Sequence, residues 1–95
     1  MAGSGDIEQR EILYRGMVQG VGFRYTTRRL AARFRVTGYV KNLPDGRVLV
    51  VVEGAAGELQ RFLQAVAREM AHYIDEQQET VRPATGGFDG FEIRY

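Results

Sequence analysis

The residues best suited to chemistry lie in one segment, Gly16-Met17-Val18-Gln19-Gly20-Val21-Gly22-Phe23-Arg24. Its glycines allow backbone conformations that aim successive N–H groups into one concavity, an arrangement that binds oxyanions. A helix predicted to start directly after the loop adds the free N–H groups of its first turn and the positive end of its dipole. A phosphoryl group suits such a site without any Lys. Arg24 sharpens the reading: a cation in a helix's first turn opposes the dipole by roughly 0.3–1 kcal/mol unless it serves an anion held at that same end. A glycine corner followed by a solvated Arg24 has the same spacing, so the residues alone leave both readings open. The loop lacks the Lys-Ser/Thr ending of phosphate-loop NTPases and the third Gly of a dinucleotide fingerprint, which sets nucleotide binding aside.

A second candidate is Asn42, at the predicted end of a strand just before Leu43-Pro44-Asp45-Gly46. Its amide can orient a water or cap the turn through an Asx bond, and position alone favours the cap. Lys41, one residue earlier, is expected on the opposite side of the sheet. The chain has no Cys, a single His (His72) and a single Ser (Ser4, near the start), which excludes disulfide frameworks, Cys-rich zinc sites, thiol nucleophiles and Ser-His-Asp catalysis. Asp75, Glu76 and Glu79 fall on a polar strand and read as solvated edge charges.

Ninety-five residues suffice for one core of two packed layers and no second lobe, so any site must sit on this domain's own loops. The formal charge of +1 hides an asymmetry. Residues 1–48 carry nine basic and four acidic side chains, and residues 49–95 carry four and eight. A basic first half suits an anionic ligand, although an Arg-rich solvated helix gives the same count. No segment resembles a signal peptide or a membrane span, so a soluble, cytoplasmic protein is expected.

The elements that must position these residues follow from patterning. Residues 1–9 have the composition of a frayed terminus, and the domain is expected over 10–95. Arg10 to Arg15 alternates as a first strand. Phe23, Thr27, Leu30, Ala31 and Phe34 mark one face of a helix. Val36–Asn42 and Arg47–Glu53, joined by the Pro-Asp-Gly turn, form a hairpin whose second strand is central, because Val48, Val50 and Val52 face one way and Leu49 and Val51 the other. Leu59, Phe62, Leu63, Val66 and Met70 define a second helix. Tyr73 to Val81 reads as a polar edge strand, Arg82 to Gly90 as a loop, and Phe91, Ile93 and Tyr95 as one face of a short last strand. The order β-α-β-β-α-β plus a final strand predicts an α+β, ferredoxin-like two-layer sandwich, an antiparallel sheet with both helices on one face.

Taken together, Gly16-x-Val18-Gln19-Gly20-Val21-x-Phe23-Arg24, Thr37-Gly38-Tyr39-Val40-Lys41-Asn42 and Asp45-Gly46 resemble the acylphosphatases. The resemblance continues more loosely through the second helix to Thr85-Gly86 and Gly90-Phe91-Glu92-Ile93-Arg94-Tyr95. It implies that Arg24 binds the substrate phosphate, that backbone N–H groups of Gln19, Gly20, Val21, Gly22, Phe23 and Arg24 cradle its oxygens, and that Asn42 orients the attacking water. The chain departs from the family pattern between Met70 and Ile74, where Ala71-His72-Tyr73 replaces the usual Gly/Pro loop.

The implied activity is hydrolysis of small-molecule acyl phosphates, with no metal, no cofactor and no covalent intermediate. The leaving carboxylate has a conjugate acid of pKa about 4, so no general acid is needed. Nothing identifiable reads the acyl portion, and broad tolerance is expected. An RNA-binding module of this fold would stack bases on central-strand aromatics, which Arg47–Val52 lacks. An acylphosphatase-like domain within a larger maturation protein is a further possibility that the short chain disfavours. The polar edge strand disfavours strand pairing between copies, so a monomer is expected, without nucleic-acid or membrane partners.

Overall fold

The computed structural model describes residues 6–95, with the elements β1 (Ile7–Gly16), α1 (Phe23–Ala31), β2 (Thr37–Asn42), β3 (Val48–Ala55), α2 (Ala56–Glu69), β4 (Ile74–Pro83) and β5 (Phe91–Arg94). The strands form one sheet in the order β4-β1-β3-β2-β5. Neighbours among the first four are antiparallel, as the ferredoxin-like pattern predicts, and β5 adds to the far edge parallel to β2. The sheet is therefore mixed.

Strand register decides which side chains the helices cover. Ile12 and Tyr14 of β1, Val48, Val50 and Val52 of β3 and Val40 of β2 point to one face and are buried there. Phe23, Leu30 and Ala31 of α1 and Leu59, Phe62 and Val66 of α2 close over them. The Phe23 ring lies 5.0 Å from that of Tyr14, which fixes the start of α1 against the sheet. Burying a side chain of this size stabilises the fold by about 1.5–3 kcal/mol. The helix stops at Ala31, before Phe34, yet Phe34 still packs edge-on to Phe62 at 5.9 Å from the turn that follows.

The first strand starts at Ile7, earlier than its alternation suggests, because Ile7, Glu8 and Gln9 pair with Ala55, Gly54 and Glu53 of β3. Of the expected 1–9 tail, residues 1–5 lie outside the described residues. At the edge, β4 is mostly polar and exposed along nearly its whole length, and two of its carboxylates meet Arg side chains of β1 on that surface: Glu79 meets Arg10 at 3.0 Å and Glu76 meets Arg15 at 3.3 Å.

On the face away from the helices, Glu53 is almost completely buried at 3% exposure. Its carboxylate accepts hydrogen bonds from Gln9 Nε2 (2.8 Å), Thr85 N (2.9 Å), Thr85 Oγ1 (2.8 Å) and Gly86 N (2.9 Å). Burial pushes its pKa up, but the donors from Thr85, Gln9 and Gly86 outweigh this and hold it below the ordinary Glu value. The clamp ties down the loop after β4, whose Gly90 carbonyl accepts from Gly38 N at 2.9 Å as β5 begins.

A depressed carboxylate stabilises the fold above its unfolded pKa, and that contribution disappears as pH falls through the folded value. Stability is therefore expected to decline from about pH 4.3 downward. Glu53→Ala is expected to cost about 2–3 kcal/mol near neutral pH and to flatten the acid limb of stability against pH. Urea denaturation across pH checks both, and a variant as stable as the parent would remove the clamp from the account.

Candidate active site

Between β1 and α1 the chain turns through Gly20 and Gly22, both at φ +80°. An L-residue held in this left-handed region costs roughly 1–2 kcal/mol, which explains glycine at these two positions. Gly22 is the N-cap of α1, and with no side chain on it nothing caps the first turn. The helical ladder begins with Thr26 N donating to Gly22 O at 3.0 Å. The N–H groups of Phe23, Arg24 and Tyr25 precede that ladder, free for a ligand at the positive end of the helix. No acidic side chain occupies this turn.

The loop is braced against the β2–β3 hairpin by a side chain whose role the sequence did not reveal. Gln19 Nε2 donates to Leu43 O at 2.8 Å and to Arg47 O at 2.9 Å. Gln19 thus sets the distance between the start of α1 and the end of β2, where Asn42 stands. The register of β2 places Asn42 on the helix-covered face with Val40, and Lys41 on the other, as expected.

Asn42 does not cap the turn, contrary to what its position alone favours. The turn is closed by Leu43 N to Arg47 O (2.8 Å) and Gly46 N to Leu43 O (3.1 Å), and Asp45 Oδ1 accepts from Arg47 N at 3.1 Å. That backbone bond and the Arg47 guanidinium hold the Asp45 carboxyl below its ordinary range. Asn42 is left free. Its Oδ1 is the one buried side-chain polar atom among the described residues with no hydrogen-bond partner. Such an acceptor costs about 1–3 kcal/mol if it stays unpaired.

Val18, Gly20, Gly22, Phe23, Arg24, Tyr25 and Asn42 line a cavity of about 170 Å³. Of the residues singled out in the sequence, Gly20, Gly22, Phe23, Arg24 and Asn42 meet here. Gln19 acts as the brace, and Val21 packs against the core. Arg24 is half-buried and lines the cavity, its guanidinium 4.8 Å from the centre of the Tyr95 ring. Tyr25 was not anticipated; its only sequence signal is an aromatic residue directly after Arg24. A wider groove of about 360 Å³ between α2 and β4 has Arg10 and Glu79 in its wall. There Arg10 is already satisfied by Glu8 and Glu79, so the smaller cavity is the better candidate.

Among the described residues no group of three or more His, Cys, Asp or Glu could hold a metal ion. No helix among them is long and apolar enough to cross a membrane.

The family model described as Acylphosphatase matches residues 10–93. An acylphosphatase of Archaeoglobus fulgidus is 42% identical over 85 residues, covering 90% of this chain and 96% of that protein. One from Rubrobacter xylanophilus is 46% identical over 80 residues, covering 83% and 73%. The crystal structure of acylphosphatase from Bacillus subtilis superposes with a TM-score of 0.83 at 34% identity, over 93% of this chain and 99% of that one.

Gln19→Ala removes both bonds of the brace. It is expected to lower stability by about 1–3 kcal/mol and to weaken inorganic phosphate binding measured by calorimetry, because the loop no longer holds its N–H groups in place. Undiminished phosphate affinity in this variant would show that the loop keeps its shape without the brace.

Proposed function

Because the chain belongs to the acylphosphatase family, whose members hydrolyse the carboxyl–phosphate bond of acyl phosphates, we propose how its own residues divide that reaction. The phosphoryl group sits in the cavity at the start of α1, held by the backbone N–H groups of residues 19–24 and by the Arg24 guanidinium. Asn42 Oδ1 accepts a hydrogen bond from a water and aims its oxygen at phosphorus, in line with the bond that breaks. What carries this reading is that Asn42, whose Oδ1 has no partner, lines the same cavity as Arg24 and the uncapped start of α1.

The chemistry suits so sparse a set of groups. Water adds to phosphorus, the P–O bond to the acyl group breaks, and the electron pair leaves with a carboxylate that needs no protonation. The proton of the attacking water passes to a phosphoryl oxygen. An amide is too weak a base to remove it beforehand, so Asn42 orients and does not deprotonate. Charge on the equatorial oxygens is met by Arg24 and by N–H groups already fixed in place, and preorganised donors need no rearrangement as the transition state forms.

This reaction needs no metal or cofactor. What supports that reading is the leaving group's low basicity. The substrates are small acyl phosphates, with no nucleic-acid partner. We read the protein as a cytoplasmic monomer: the charged side chains along β4 pair with β1, through Arg10–Glu79, Arg15–Glu76 and Arg82–Glu11, and such an edge resists pairing with a second copy.

Purified protein in excess chelator is expected to hydrolyse benzoyl phosphate rapidly and p-nitrophenyl phosphate barely. Dependence on added metal would overturn the proposal. Arg24→Ala is expected to lose at least about 100-fold in kcat/KM and most of the competitive inhibition by phosphate. Asn42→Ala should lose turnover on a similar scale while the phosphate inhibition constant stays within about twofold. Equal loss of phosphate binding in the two variants would contradict the division of roles.

A further inference from the structure

We propose that Tyr25 is a specificity-determining residue, an aromatic wall at the mouth of the phosphoryl cavity that receives the acyl portion of the substrate and favours aromatic over small acyl groups. The inference rests on the function proposed above and adds what reads the other half of the substrate.

The cavity can hold a phosphoryl group with a small acyl group such as acetyl, but it does not enclose an aromatic one. Pockets that enclose drug-sized ligands measure about 300–1,000 Å³, whereas this one has about 170 Å³, of which the phosphoryl group occupies the part nearest Arg24 and Asn42. A benzoyl-sized acyl group therefore projects outward. Of the apolar side chains in the lining, Val18 and Phe23 are committed to the core at 0% and 2% exposure, and Tyr25 alone is open, at 58%.

Tyr25 follows Arg24 in the first turn of α1, so its position relative to the bound phosphoryl group is set by the helix and not by a mobile loop. One turn further on, the Arg28 guanidinium lies 5.6 Å from the centre of the Tyr25 ring, a contact that restrains the ring. An exposed aromatic with only two side-chain torsions offers contact area at little entropic cost. Offset or edge contact between two rings is favourable beyond simple burial, while an acetyl group offers only a methyl to the same surface.

The test is the ratio of kcat/KM for benzoyl phosphate to that for acetyl phosphate, measured for the parent, Tyr25→Ala and Tyr25→Phe, with the phosphate inhibition constant measured in each. Ala is a good helix former and the side chain is exposed, so the variant is expected to fold. The ratio is expected to fall roughly three- to tenfold in Tyr25→Ala, mainly through KM for benzoyl phosphate, with phosphate inhibition held and the ratio restored in Tyr25→Phe. A ratio that does not move, or that falls together with phosphate binding, would overturn the assignment. A parent protein that hydrolyses neither substrate would instead overturn the underlying functional reading.

Discussion

The start of α1 is a helix end without a cap. Every helix leaves its first N–H groups unpaired, and proteins commonly satisfy them with a Ser, Thr, Asp or Asn side chain. Here the N-cap is Gly22 in the left-handed conformation, with no side-chain oxygen to donate to. The fold thus forgoes a cap worth about 0.5–2 kcal/mol, as it also does at α2, and at α1 those donors open onto the cavity that the proposed function assigns to an anion. The other features of the site can be read as consequences of holding that exposed end in place. Phe23 against Tyr14 anchors the helix to the sheet, Gln19 braces the loop to the hairpin, and β2 ends where Asn42 faces the gap.

The same economy extends to the chemistry. In the proposed reaction a carboxylate leaves easily, so the protein need not supply an acid, a nucleophile or a metal, and positioning carries most of the work. Positioning in turn requires rigidity. The clamp around Glu53 fixes the segment that leads into β5, and the residue following β5, Tyr95, lies against the Arg24 guanidinium. A buried carboxylate on the face away from the helices is thereby linked through covalent chain and packing to the cation at the site. Arg94 adds to this by stacking over Tyr39 at 4.0 Å, which holds β5 to the sheet from the outer face.

Much of this was legible in the residues. Alternation and helical spacing defined the elements, and the two-sided burial of Val48–Val52 placed β3 in the middle of the sheet. The loop and Arg24 stood out because a cation at a helix start is unfavourable without an anion. Less was legible where the signal is a relation between distant segments. Gln19 looks like any polar loop residue until the hairpin carbonyls lie beside it. Glu53 is one acidic residue in an apolar strand until Gln9, Thr85 and Gly86 converge on it. Asn42 favoured a turn cap because Asx bonding is a local preference, and only the hairpin geometry shows that Asp45 takes that role. The start of β1 was missed because Ile7-Glu8-Gln9 has no apolar alternation of its own and is ordered by pairing with Ala55, Gly54 and Glu53.

The central claim is that water attacks phosphorus in the cradle and not the carbonyl carbon outside it. Hydrolysis of benzoyl phosphate in ¹⁸O-labelled water, followed by mass analysis of both products, tests this directly. The account predicts the label in inorganic phosphate and none in benzoate. Label in benzoate would place the attack at carbon, and a site built to hold and surround the phosphoryl group would then be the wrong description of the catalyst.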